Sequence, residues 1–302
     1  MTLDPNRSVS PEAAAPAMSM RRAAALYGIS FTLMVVLSLV FYAFKSPKGQ
    51  INIPWLSTAI SLLAVLAPAV IACYWPKAGA PGALPPFKRV SGWILAGAAL
   101  FAVPFYVVFA ALQIAITKAL PFHMETGLIE PLTASTPLAF LGIWLAIAIF
   151  PAFTEEFLYR GALQSAAIRK WGPTVGLVAA SIFFSVAHLE VAGGLSRILM
   201  GLWFGYLFWR TGSLWPGAVA HALNNTCGVV LANWAKAIEA QLPSVYALAV
   251  LCLVAGYACF HKAGFWPWQK ANGSTGGAAA ADGPELPYFI TVARPEAPRV
   301  DK

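Results

Sequence analysis

The sequence predicts an all-α membrane protein, a polytopic bundle of about eight transmembrane helices. Three observations carry that prediction. Of the 302 residues, 59% are hydrophobic and only 11% charged, whereas an average soluble domain has roughly 25% charged residues. Mean hydropathy is +0.69. The apolar residues also gather into runs close to the ~20 that a helix needs to cross a bilayer. This balance excludes a disordered chain and a nucleic-acid-binding protein, and it disfavours a soluble enzyme. The net charge of +8 is read as Lys and Arg flanking membrane spans.

The spans follow in chain order. Span 23–44 starts after Arg21-Arg22 and is too long, with no small-residue exit, for a cleavable signal peptide. Span 55–75 is bracketed by Trp55 and Trp75, which suit the membrane interface. Span 90–116 follows Lys88-Arg89, and span 138–168 runs up to Arg169-Lys170. Three shorter or more polar segments come next: 174–189 after Pro173, 196–210 before Arg210, and 213–234 between Trp215 and Trp234. Span 245–260 closes the set before His261 and Lys262. Residues 1–20 and 271–302 are rich in Pro, Ala, Gly and Ser and are expected to be disordered tails. Residues 21–270 form the transmembrane bundle. No internal repeat is visible, which weighs against inverted-repeat transporters.

Alternating these spans from a cytoplasmic N-terminus puts fifteen of the twenty Lys and Arg residues inside and five outside (Lys45, Lys48, Lys118, Arg197, Lys236). The bias predicts a multi-pass protein of the cell inner or plasma membrane with both termini cytoplasmic. Cys73, Cys227, Cys252 and Cys259 stand singly in apolar surroundings and read as small hydrophobes, not as a metal or disulfide framework.

Three polar interruptions carry the chemistry: Glu155-Glu156-Phe157-Leu158-Tyr159-Arg160, Phe184-Ser185-Val186-Ala187-His188 and His221-Ala222-Leu223-Asn224-Asn225. A charge at a helix centre costs about 2.5–3.5 kcal/mol on insertion scales, so such groups are paired or functional. At 1.5 Å rise per residue, Glu155 lies roughly 21 Å before Arg169 and His188 roughly 22 Å past Pro173. His221 and Asn225 lie roughly 12 and 18 Å past Ser213. A carboxylate, two imidazoles and an amide from three helices thus reach overlapping depth. Glu156 and Arg160 are four apart and can pair on one face. Glu155 is rotated by about 100° from Glu156, so Glu155 is expected to face the site as general base, with Glu156 and Arg160 supporting it. His221 and Asn225 also share a face. Two routes to an activated water stay open at this level. A divalent metal could lower the pKa of bound water, or the glutamate could take the proton while His and Asn stabilise the oxyanion.

EExxxR, FxxxH and HxxxN in this order on successive apolar helices resemble the CPBP family of intramembrane proteases. That family comprises the CAAX prenyl endopeptidases and the bacteriocin-processing (Abi) proteins. The resemblance covers about residues 138–234 and implies a protease core there. It implies Glu155 as the water-activating acid, Glu156 and Arg160 completing the first motif, and His188, His221 and Asn225 lining the remainder. The implied substrate is a membrane-associated peptide or protein, lipidated or not, cleaved in a cavity open to the cytoplasmic side. Because the family is usually labelled metalloprotease, a divalent metal such as Zn2+ on Glu155, His188 and His221 is a further expectation.

Plainer readings stand beside these. The Glu155/Glu156/Arg160 group could be a structural ion-pair cluster, and Asn225 could simply bond a neighbouring helix. Asn224 rivals Asn225 for its role. His123 and His261 are expected to be solvated, and Gly201 to Gly205 to be a close-packing GxxxG. Two rival functions remain: a proton-coupled transporter using the same Glu and His groups, and a non-catalytic immunity or scaffold protein.

Overall fold

The computed structural model describes residues 18–44, 53–74, 87–120 and 133–266. Both expected tails, apart from Met18 to Met20, and His123 lie outside them. No strand occurs among the described residues. Eight helical bodies do: α1 (Met20–Ala43), α2 (53–74), α3 (Gly92–Ala119), α4 (Pro137–Trp171), α5 (Pro173–Val186), α6 (Gly194–Thr211), α7 (Trp215–Glu239) and α8 (Leu242–Lys262). Each coincides with one expected span to within a few residues. Five of them (α1, α2, α3, α4 and α8) are long and apolar enough to cross a membrane. This is an integral membrane protein.

The helix ends follow local chemistry. Ser19, Ser91 and Thr136 cap α1, α3 and α4 by accepting from Arg22, Trp93 and Ala139 backbone N–H groups, and prolines occupy the first turns of α5, α7 and α8, where no N–H is missed. Gly172 and Gly212 adopt positive φ between α4 and α5 and after α6, the left-handed geometry that glycine takes without steric cost. α5 ends at Val186, so His188 stands in the turn beyond it and not on the helix.

Contacts at the two ends fix the antiparallel order. At one end Arg169 donates to Met18 O (2.6 Å), Ser213 to Lys88 O (2.6 Å) and Arg210 to Phe265 O (2.5 Å). There too the Lys262 ammonium lies 4.0 Å from the Trp93 ring centroid. The start of α1, end of α4, start of α3, start of α7 and ends of α6 and α8 therefore share one end of the bundle. At the other end Ala134 N donates to Asn233 (2.7 Å) and Phe140 packs on Trp234, with centroids 5.2 Å apart.

Two buried clusters hold the helices together. Ala23, Leu26, Val65, Ala69, Leu158, Leu163, Ala166, Phe208 and Leu214 join α1, α2, α4, α6 and the start of α7. Phe101, Phe204, Leu207, Phe260 and Phe265 join α3, α6 and α8. Gly97 lets Phe260 sit against α3, where an added Cβ would come within 2.9 Å of its ring, and Gly256 does the same for Phe101 at 2.5 Å.

α4 departs from the regular helix that spacing alone predicts. Leu145–Ile149 and Phe157–Gln164 wind as π-helix, as does Ile60–Leu66 of α2, a form that is frequent at functional sites. The second segment begins one residue after Glu156. Its wider turn is tied by Ser165 Oγ, which donates to Arg160 O five residues back (2.9 Å).

Candidate active site

The three sequence motifs meet. Glu156 Oε1 lies 2.9 Å from Arg160 Nη1 and 3.1 Å from His221 Nδ1, and all three side chains are buried. Arg160 Nη2 also donates to Gly201 O (3.1 Å), and its guanidinium lies 4.8 Å from the Phe184 centroid and 5.5 Å from that of Phe204. Four residues later Gln164 Nε2 donates to Gly205 O (2.9 Å). The GxxxG of α6 is thus a close-packing surface: its bare backbone receives two polar side chains of α4, and Gly201 also meets Ser181 of α5. A buried ion pair is stabilising only when its remaining donors and acceptors find partners, and Gly201 O supplies one of them.

Glu155 points elsewhere. Together with Phe184, His188, His221, Asn224 and Asn225 it lines a cavity of about 870 Å³, whereas Glu156 and Arg160 are not on its wall. The adjacent acids therefore occupy different environments, one carboxylate on the cavity and one locked in the helix interface. Glu155 Oε2 is 3.9 Å from His221 Nε2, so His221 spans the two acids with one ring nitrogen towards each. The His221 imidazole is stacked on Phe204, centroids 4.9 Å apart and planes 18° apart, and meets Phe184 edge-on at 5.7 Å. Its orientation is fixed by these two rings and at Nδ1.

His188 is held by a shorter-range device. Its Nδ1 lies 2.8 Å from Phe184 O, a contact that the FxxxH spacing makes from the turn after α5 back to the helix's last turn. A backbone carbonyl only accepts, so Nδ1 carries the proton and Nε2 keeps its lone pair for the cavity. Asn225 Nδ2 donates to Ile147 O (3.3 Å), at the π-helical turn of α4, and Asn224 Nδ2 donates to Asn225 Oδ1 (3.4 Å). Both asparagines line the cavity, so spacing from His221 did not separate them.

Several contributing residues are not part of any motif. Gly217 allows α7 to close on α4: an added Cβ would stand 2.9 Å from Glu156 Oε2. Arg197, expected as one of the few cations on the non-cytoplasmic side, lies on the cavity wall and is ion-paired with Glu190. Glu190 also accepts from Gly193 N (2.9 Å), and Ser185 Oγ donates to Gly194 O (2.8 Å). These bonds close the turn that carries His188 and the left-handed Leu189, φ 51°. The sequence signal for this clasp is weak, an acid and a base seven apart around a Gly-Gly pair. Tyr106, Phe109 and Gln113 of α3 and Met34 and Ser38 of α1 complete the walls.

The expected metal trio is not gathered. His221 Nδ1 is engaged by Glu156, and no group of three or more His, Cys, Asp or Glu side chains that could hold a metal occurs among the described residues. This arrangement does not fit a three-ligand zinc centre, and no catalytic step is routed through one. His261 is exposed at the end of α8 with its ring near Tyr257. Cys227, Cys252 and Cys259 are free thiols.

The cavity is walled by the second halves of α1 and α3, the first halves of α2, α4 and α6, the end of α5 with the turn after it, and His221 to Val229 of α7. The cluster of Leu26, Val65, Leu163, Ala166, Phe208 and Leu214 packs towards the end where α1 starts and α8 finishes.

Comparison with known proteins matches residues 137–227 to the Rce1-like family, described as type II CAAX prenyl endopeptidase Rce1-like. That segment carries all six motif residues, and it supports the CAAX-protease resemblance read from the sequence. No curated protein and no solved structure matches the chain.

Proposed function

We propose that this protein is an intramembrane endopeptidase that hydrolyses a peptide bond in a membrane-associated protein with a water activated at Glu155. The observation that carries the reading is the division of labour between adjacent acids: Glu155 on the cavity wall and Glu156 neutralised by Arg160. The family match supplies the proteolytic class.

In this mechanism Glu155 takes a proton from water in the cavity, general base catalysis of the kind worth about 10²–10⁴ in rate. The lone pair on His188 Nε2 holds the same water on the opposite flank. The resulting hydroxide adds to the scissile carbonyl carbon as the carbonyl π pair moves to oxygen. Asn225 has a second amide N–H beyond the one bonded to Ile147 O, and this donor stabilises the oxyanion. His221, held by Glu156 at Nδ1, orients the wall beside Glu155. Collapse of the tetrahedral intermediate breaks the C–N bond, and the proton held by Glu155 passes to the leaving amine. Glu156 and Arg160 are positioning residues, since neither reaches the cavity.

The experiment is a peptidase assay on purified protein with a lipidated CAAX-terminated peptide and an unlipidated control, comparing wild type with Glu155→Gln. Cleavage by wild type and none by the variant supports the reading. Equal cleavage by both removes Glu155 as base, and solute flux into proteoliposomes without any cleavage would favour the proton-coupled transporter.

A further inference from the structure

We infer that Tyr106 of α3 is a substrate-binding residue, whose hydroxyl donates to a main-chain carbonyl of the polypeptide one to two residues from the scissile bond. The ligand class is the uncharged backbone of an extended peptide segment. The inference deepens the peptidase reading above and rests on it in placing the scissile bond between Glu155 and Asn225.

Three observations carry it. First, α3 turns one face to the cavity. Tyr106, Phe109, Ala110 and Gln113 line it, and their spacing of three, four and seven is that of a single helical stripe. The register of this stripe is fixed on either side of Tyr106. Phe105 packs edge-on against Trp203 with centroids 5.1 Å apart, and Phe109 O accepts from Ser196 Oγ (3.0 Å).

Second, the hydroxyl stands beside the asparagine turn of α7. Tyr106 Oη is 3.8 Å from the point where a Cβ on Gly228 would lie. Gly228 also lines the cavity and follows Asn225 by three residues and Asn224 by four. It therefore lies about 4.5–6 Å beyond them along the helix. An extended chain advances about 3.3 Å per residue. A substrate whose scissile carbonyl meets Asn225 thus brings a carbonyl one to two residues away past Tyr106, and Gly228 has no side chain to block it.

Third, the hydroxyl proton is not committed. Other polar groups of the wall are bonded: Ser38 and Ser57 donate to Met34 O and Ala146 O (2.8 Å each), and both asparagines are engaged as described. Tyr106 Oη makes no hydrogen bond among the described residues. An unbonded hydroxyl among apolar helices costs free energy that the bare ring of phenylalanine would avoid. An extended peptide entering such a cavity brings main-chain carbonyls that need donors.

The test reads binding and needs no turnover, so it can fail independently of the peptidase assignment. Glu155→Gln protein, with and without Tyr106→Phe, is titrated into a fluorescent lipidated CAAX-terminated peptide, and Kd is read by anisotropy. The titrations are repeated with a set of peptides in which each peptide bond in turn is replaced by an (E)-alkene, which keeps the shape and removes the carbonyl. Tyr106→Phe should weaken binding of the parent peptide about three- to tenfold, the size of one neutral hydrogen bond, with an unchanged melting temperature. One alkene peptide should bind the Tyr106 protein as weakly and lose nothing further in Tyr106→Phe, while the others lose the same factor as the parent. Its alkene should lie one or two residues from the bond that enzyme with Glu155 intact cleaves. Equal Kd for the parent peptide with and without the hydroxyl overturns the inference, as does an equal further loss for every alkene peptide, or no binding of any peptide. A lowered melting temperature for Tyr106→Phe overturns it too, since the hydroxyl would then hold the fold. Binding that depends on Tyr106 without cleavage by the Glu155 enzyme keeps the binding residue and removes the peptidase reading.

Discussion

Glu156 on α4 and His221 on α7, sixty-five positions apart in sequence, are joined by a 3.1 Å contact between Oε1 and Nδ1. That contact turns two motifs on separate helices into one unit. It fixes which ring nitrogen of His221 faces the cavity, and it ties the base-bearing segment of α4 to the helix that supplies both asparagines.

The two adjacent glutamates are expected to fail differently. Glu155→Gln should abolish turnover while leaving thermal unfolding in detergent unchanged, because its carboxylate lines the cavity and its contact with His221 Nε2 is long, 3.9 Å. Glu156→Gln removes the only carboxylate bonded to Arg160 and leaves a buried guanidinium without its counter-charge, a change that costs about 3–5 kcal/mol. Scanning fluorimetry should show a clear loss of melting temperature for the second variant alone. Equal melting temperatures would refute the division of roles.

Gly217→Ala tests how closely α7 approaches α4. Ordinarily, replacing a helical glycine by alanine gains up to about 1 kcal/mol. At 217 the new Cβ would stand 2.9 Å from Glu156 Oε2, while at Gly142 it would meet nothing within 4 Å. The expected outcome is therefore opposite signs: Gly142→Ala as stable as wild type or more so, Gly217→Ala less stable and with a reduced kcat. A neutral Gly217→Ala would show that the contact is slack.

Asn225→Ala should lower kcat by about 10²–10³, the size of losing one oxyanion donor, with little change in KM. Asn224→Ala should do less, since its amide donates to Asn225 and not to a helix backbone. Steady-state kinetics on both variants decide between them, and the reverse ranking would assign the oxyanion role to Asn224.

Protein stripped with a chelator and shown metal-free by elemental analysis should keep its peptidase activity, because no group of three His, Cys, Asp or Glu side chains that could hold an ion occurs among the described residues. Loss of activity on stripping, restored by one equivalent of Zn2+, would show that Glu155, His188 and His221 regroup around an ion.

The Glu190–Arg197 clasp closes the turn that carries His188. Arg197→Ala and Glu190→Ala should each raise amide hydrogen exchange across residues 187–193 and lower kcat, since misplacement by about 1 Å can cost 10²-fold. A double charge reversal at 190 and 197 should recover part of both. Unchanged exchange in either single variant would show that Ser185 and Gly194 hold the turn unaided.

The sequence by itself determined the membrane class, the eight helical bodies and the six motif residues, because each of these is written at short range. Apolar runs give span lengths, and fourfold spacing puts Glu156 with Arg160 and His188 with Phe184 O through a single helix turn. Long-range packing decided the rest. No spacing rule states that α7 approaches α4 closely enough, across Gly217, for His221 to reach Glu156, or that Gly201 and Gly205 offer carbonyls to Arg160 and Gln164. The π-helical turns of α4 were likewise illegible, since a one-residue widening leaves the apolar pattern nearly unchanged while rotating every later residue of the helix. Which of two adjacent carboxylates meets the cavity depends on how neighbouring helices fill space. Residue order along one chain does not encode that directly.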